Sequence, residues 1–159
     1  MEIITYTKRK LQNILNKNFT NKDCDFYLND QSYAVMDASW IKTECYQAYR
    51  KWLRLAGISK WKTNWDCDNF AQSFKMYVNL LHARENPETF TTKRSGAKNT
   101  TDARAAAVGV MFFKNSNRSA HAVNVVATED AEVLFFEPDG GAFFTLTDKY
   151  KETVWYVNL

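Results

Sequence analysis

The chain has 159 residues, 45% hydrophobic and 15% aromatic, enough to fill one sizeable core and short enough to be read as a single domain, 1–159. Its 21 basic and 18 acidic residues leave a net charge of +3 spread along the sequence, with no basic stripe of the kind that marks a nucleic-acid partner. No apolar run approaches the roughly 20 residues that cross a bilayer, which argues against a membrane partner.

In chain order, Leu11, Ile14 and Leu15 give a short N-terminal helix one apolar face. A strand-like pair follows, Phe26 to Leu28 and Tyr33 to Met36, around Asn29-Asp30. From Trp40 to Ala56 the residues Ile41, Cys45, Ala48 and Trp52 recur at i, i+4, i+7 and i+11; Asp37 or Ser39 can cap this helix and Gly57 can end it. A third helix begins near Asp68, where Phe70, Phe74, Tyr77 and Leu81 repeat that spacing. Cys67 falls at its first turn. Residues 85–104 are polar, with Phe90 the single aromatic, and are expected to form a flexible loop bordering the site. Then come Ala107 to Phe113, His121 to Ala127, Glu132 to Glu137, Ala142 to Leu146 and Thr153 to Val157, short β-branched or aromatic runs between polar turns. Their short connectors require mostly antiparallel neighbours. The pattern predicts an α+β fold, N-terminal helices packed on a mainly antiparallel C-terminal sheet.

Three cysteines without paired spacing and a first segment without a signal peptide's apolar stretch point to a reducing, cytoplasmic setting. Cys45 lies on the apolar stripe of its helix and reads as core, Cys24 has no evident role, and His82 near a helix end suits a contact with the dipole. Two histidines and scattered cysteines do not make a zinc site, and five glycines include no phosphate-cradling loop.

Cys67 differs in its surroundings. A helix start favours thiolate, as does a neighbouring imidazolium, and His121 opens a later strand. Cys67 as nucleophile, His121 as base and Glu137 as orienting group form a chemically sensible order. Glu137 shares a strand face with Phe135, whereas Asp139, the alternative third member, lies beyond Pro138 in an Asp-Gly-Gly turn. The Cys67 N–H could donate to a developing oxyanion, with Asn64, the Trp61 indole or Gln47 as second donor. Trp61 and Trp65 flank the nucleophile as candidate cleft walls.

Asp66-Cys67-Asp68-Asn69-Phe70-Ala71, His121-Ala122-Val123-Asn124 and Phe136-Glu137-Pro138-Asp139-Gly140-Gly141 together resemble the three active-site segments of papain-like and transglutaminase-like cysteine peptidases. They are most similar to the protease domain at the C-terminus of a fungal agglutinin and its small phage relatives. The resemblance covers about residues 60–159. It implies a papain-like fold and a cysteine hydrolase that cleaves a peptide or isopeptide amide of a protein or peptide substrate through an acyl-enzyme, with Cys67, His121 and Glu137 as triad. Acyl transfer or deamidation would use the same site. A cell-wall amidase also uses an Asp-Cys at a helix start, and a non-catalytic binding or inhibitory viral effector could keep the fold without turnover. Papain-type enzymes carry a Gln before the Cys, and here Trp61 to Asp66 stand instead. No cofactor is expected; the agglutinin branch is calcium-dependent, and Asp66, Asp68 and Asp139 could serve a hard cation, although no EF-hand spacing is present.

Overall fold

In the computed structural model, described for residues 4–86, 90–93, 96–99, 105–117 and 119–159, the chain opens with strand β1 (Thr5–Thr7) and helix α1 (Lys8–Asn18). The Thr7 side chain accepts from the Lys10 N–H at 3.2 Å, a local N-cap, and α1 buries Leu11, Ile14 and Leu15 as its spacing predicts. Strands β2 (Asp25–Tyr27) and β3 (Ser32–Ala34) match the strand-like pair in position but join different sheets.

The second helical region is irregular. Asp37 Oδ1 accepts from the N–H groups of Ser39 and Trp40, at 2.6 and 3.2 Å, and so caps the single turn α2 (Ala38–Trp40). A π-helical turn, Ile41–Cys45, leads into α3 (Tyr46–Leu55). Underwinding there advances the buried stripe by four residues per turn, so Ile41, Cys45, Tyr49 and Leu53 face inward. The predicted Ala48 and Trp52 are only half-buried. Gly57, with φ +76, follows the end of α3. Helix α4 (Cys67–Glu85) is the long one, and it buries Phe70, Phe74, Val78 and Leu81.

Of the polar stretch 85–104, the described backbone includes a hairpin of β4 (Phe90–Lys93) and β5 (Gly96–Asn99); residues 87–89, 94–95 and 100–104, where much of the expected loop falls, lie outside the described residues. Strands β6 (Ala105–Ala106), β7 (Val108–Lys114), β8 (Ala120–Ala127), β9 (Val133–Glu137) and β10 (Ala142–Phe144) follow, then the short helix α5 (Asp148–Lys151) and β11 (Tyr156–Asn158). The large sheet has the order β10-β9-β8-β7-β11-β2 and is antiparallel except where β11 meets β2 in parallel. Strands β1, β3 and β6 form a smaller sheet.

Side chains alternate along β8, so Val123 and Val125 join Leu11, Leu15 and Phe135 on one face of the large sheet. Val126 joins Tyr49, Phe70, Phe74 and Phe136 on the other. Tyr49 fixes α3 to α4 there, its hydroxyl 2.8 Å from Ser73 Oγ.

This architecture corrects the predicted division into N-terminal helices and a C-terminal sheet. Among the described residues strands outnumber helices as elements, and the first 34 residues already supply β1 and β3 to the small sheet and β2 to an edge of the large one. The partners of β2 and β3 lie far along the chain, and three-residue strands are too short to carry a periodicity that announces them. Among the described residues, no helix is long and apolar enough to cross a membrane.

Candidate thiol site

Helix α4 begins at Cys67 because Asp66 leaves helical geometry and donates its backbone N–H to Asn69 Oδ1 at 3.2 Å. The first turn of the helix is carried against β8 by Asn124. That residue is fully buried, and its Nδ2 donates to Ala71 O at 2.8 Å and to Gly109 O at 3.0 Å. Asn124 lies three residues beyond His121 and Ala71 four beyond Cys67, so one side chain ties the strand and helix that carry the candidate residues.

Cys67, His121, Glu137, Asp139, Asp66, Ala120 and Trp61 line one pocket of about 320 Å³. His121 pairs with Phe113 across β7 and β8, and its ring lies edge-on to that phenyl, with centroids 5.5 Å apart. His121 Nε2 is 2.8 Å from Glu137 Oε2, with both side chains about two-thirds buried. With Nε2 committed to the carboxylate, Nδ1 remains as the nitrogen that can exchange a proton with a thiol. The N–H of Ala122, the residue after His121, is near enough to the Cys67 sulfur to favour its thiolate. Among the described residues no hydrogen bond joins the Cys67 and His121 side chains, a looseness common in ligand-free sites.

Burial pushes the Cys67 thiol up from its ordinary pKa; the Ala122 N–H draws it back in part, and Asp66 and Asp68 push it up again. The helix start therefore does not make Cys67 an acidic thiol by itself: burial and two flanking carboxylates oppose it. The neighbouring Asp66 carboxyl raises the Asp68 pKa, and burial adds to the rise.

Glu137 is held from behind. Its Oε1 lies 3.4 Å from the Asp139 N–H and its carbonyl accepts from Gly141 N–H at 2.7 Å. The turn rests on α3: the Tyr46 hydroxyl donates to Asp139 O at 3.3 Å, and Arg50 stands 3.9 Å from Asp139 Oδ1. Asp139 is thus occupied by Arg50, while Glu137 meets the imidazole.

Among the expected oxyanion donors, Trp61 lines the pocket and is half-exposed, whereas Asn64 and Gln47 do not line it. Trp65 is packed edge-on against Phe70. Cys45 is core, with burial pushing its thiol up to about 12, and Cys24 is half-buried just before the large sheet's edge strand β2. Among the described residues no group of three or more His, Cys, Asp or Glu side chains is arranged to hold a metal ion, so Asp66, Asp68 and Asp139 do not form one. Sequence reading missed Asn124, Tyr46 and Arg50. An Asn inside the apolar run of β8 was the available signal for the first, because a buried amide must find partners.

No family model matches the sequence, and no curated protein matches it. Solved structures do share the fold. PSL1a in complex with E64 is 23% identical, with a TM-score of 0.73 over 98% of this chain and 51% of its own. The Polyporus squamosus lectin bound to the human-type influenza-binding epitope Neu5Acα2-6Galβ1-4GlcNAc is 24% identical, with a TM-score of 0.70 over 98% of this chain and 49% of its own. The chain thus spans about half the length of the structures it matches.

These findings correct the family reading. Neither of these two structures carries the name of a papain-like or transglutaminase-like peptidase, and one is described as a lectin bound to a sialylated glycan, where a protein or peptide partner was expected. The papain-like fold label, the peptide or isopeptide hydrolase with its acyl-transfer and deamidase variants, the effector alternative and the phage connection came with that resemblance and are set aside with it. At this identity the likeness establishes a fold, shared with these two structures across nearly the whole of this chain.

Proposed function

We propose that Cys67 is a nucleophilic thiol, that His121 is its base and that Glu137 holds the imidazole in the tautomer that leaves Nδ1 to the sulfur. The observation that carries this reading is the 2.8 Å contact between His121 Nε2 and Glu137 Oε2 at a pocket that Cys67 also lines. The raised thiol pKa gives the base its task, because the resting sulfur is protonated and must lose its proton as it attacks. The free state of Cys24, Cys45 and Cys67 suits a reducing compartment.

The test uses E64, the compound named with one of the similar structures. A thiolate opens its epoxide: a sulfur–carbon bond forms, a carbon–oxygen bond breaks, and the alkoxide takes a proton from His121. Intact-mass analysis should find one adduct per chain, mapped to Cys67, absent from Cys67→Ala and slowed roughly tenfold or more in His121→Ala, in the range of lost base catalysis. An adduct on Cys24, or equal labelling of parent and His121→Ala, would refute the assignment.

A second reading is carbohydrate binding, favoured by the lectin described with a sialylated trisaccharide. Titration with Neu5Acα2-6Galβ1-4GlcNAc, followed by amide shifts, tests it; a silent titration removes it.

A further inference from the structure

Beside the thiol pocket runs a second, larger groove of about 750 Å³ between α4 and strands β7 and β11. The two cavities share Ala120 as a wall. Phe112, Trp155 and the protruding, 56% exposed Met76 make the groove apolar. Its charged element is Lys75, which a helix rise of 1.5 Å per residue places about 12 Å along α4 from Cys67.

Lys75 is a partly buried cation. Its ammonium donates to Asn158 Oδ1 at 2.9 Å and to Asn158 O at 3.2 Å. An ammonium has three donors, so one is left without a partner among the described residues. Asp30 is near enough to favour the charged form but forms no ion pair with it, and burial pulls the pKa down. A positive charge held at the cost of desolvation, fixed by an amide and faced by aromatic walls, is complementary to an anion joined to an apolar body.

We propose that this groove is a binding site for an organic carboxylate, with Lys75 reading the anion and Trp155, Phe112 and Met76 covering its apolar part. Its neighbourhood to the Cys67 pocket makes it a recognition extension of that site, yet the proposal does not rest on Cys67 being reactive, and its test avoids electrophiles.

The experiment is an NMR titration of the full chain with 4-phenylbutyrate, its carboxamide and the sialylated trisaccharide, followed at the Trp155 indole and the Asn158 amide. The acid should bind at least tenfold more tightly than the carboxamide, with shifts confined to groove residues, and Lys75→Met should bring acid and amide to parity. Lys75→Gln, which keeps a polar tip, guards against a packing artefact and should behave alike. Binding of the trisaccharide at the same resonances with the same Lys75 dependence would support the site and identify a sugar acid as the carboxylate source. Equal binding of acid and amide, shifts outside the groove, or indifference to both Lys75 variants would overturn it. Failure of E64 to label Cys67 bears on the thiol reading alone, and failure here bears on the groove alone.

Discussion

Asn124 offers the sharpest test of how this fold sets its site, because one buried amide joins α4 to β8. In Asn124→Leu the side chain stays close in size, so cavity terms are small, while two donated hydrogen bonds, to Ala71 O and Gly109 O, are lost. At about 1 kcal/mol net each, that loss is about 2 kcal/mol. The Asn124 Oδ1 atom is buried without a partner, and its removal returns up to about 1 kcal/mol. The balance is a destabilisation of about 1–2 kcal/mol, which at about 2–4 °C per kcal/mol for a chain of this size lowers Tm by about 2–8 °C. Thermal denaturation by circular dichroism reads the first effect. E64 labelling well below Tm reads the second: with the α4 start no longer clamped to the His121 strand, Cys67 should react severalfold more slowly. If Asn124→Leu keeps its Tm within about 1 °C of the parent, or labels at the parental rate, packing alone sets the helix position and the amide clamp is dispensable.

Gly141 sits at φ +71, and a Cβ there would collide with the Tyr46 ring; Gly141→Ala should cost about 2 kcal/mol or more and displace Glu137, and the double variant with Tyr46→Ala should lose less than the sum of the singles, as measured by chemical denaturation. Burial raises the thiol pKa of Cys45 to about 12 and of Cys24 to about 11. A raised folded-state pKa means that the folded chain holds protons the unfolded chain releases, so this stability is full below the ordinary thiol value of about 8.5 and declines as pH climbs toward about 11–12. Tm should therefore fall between about pH 8 and pH 10.5, and Cys45→Val should flatten that slope; an unchanged slope would refute the buried thiol as its source.

The local signals of the candidate site were more legible in sequence than the scaffold. Asp66-Cys67 at a helix start and His121 at a strand start are local signals, decided within a few residues, and the structure places both where the pattern predicts. Strand alternation likewise separated Glu137 from Phe136, and the structure adds that Arg50 engages Asp139. What stayed hidden is non-local or aperiodic. The π turn at Ile41–Cys45 moved the buried stripe from Ala48 and Trp52 onto Tyr49 and Leu53, and a period count assumes regular winding. Oxyanion candidates chosen by nearness in sequence or on a neighbouring helix, Asn64 and Gln47, fall outside the pocket, because nearness along the chain says little about which way a turn or a helix face looks.

The parallel pairing of β11 with β2 has a kinetic meaning. Residues 156–158 lie between β7 and β2, so the large sheet cannot be laid down in the order the chain is read. The hairpins β7–β8, β8–β9 and β9–β10 can zip early from neighbouring segments, whereas β2 must wait for a partner from the opposite end of the sequence, a closure whose entropy slows the last stage. The groove is walled partly by Trp155, Tyr156 and Asn158, and it therefore completes only in that stage. In refolding, Trp155 should report a slower phase than backbone signals from β8, and partial openings of the native protein should start at the β2–β11 seam.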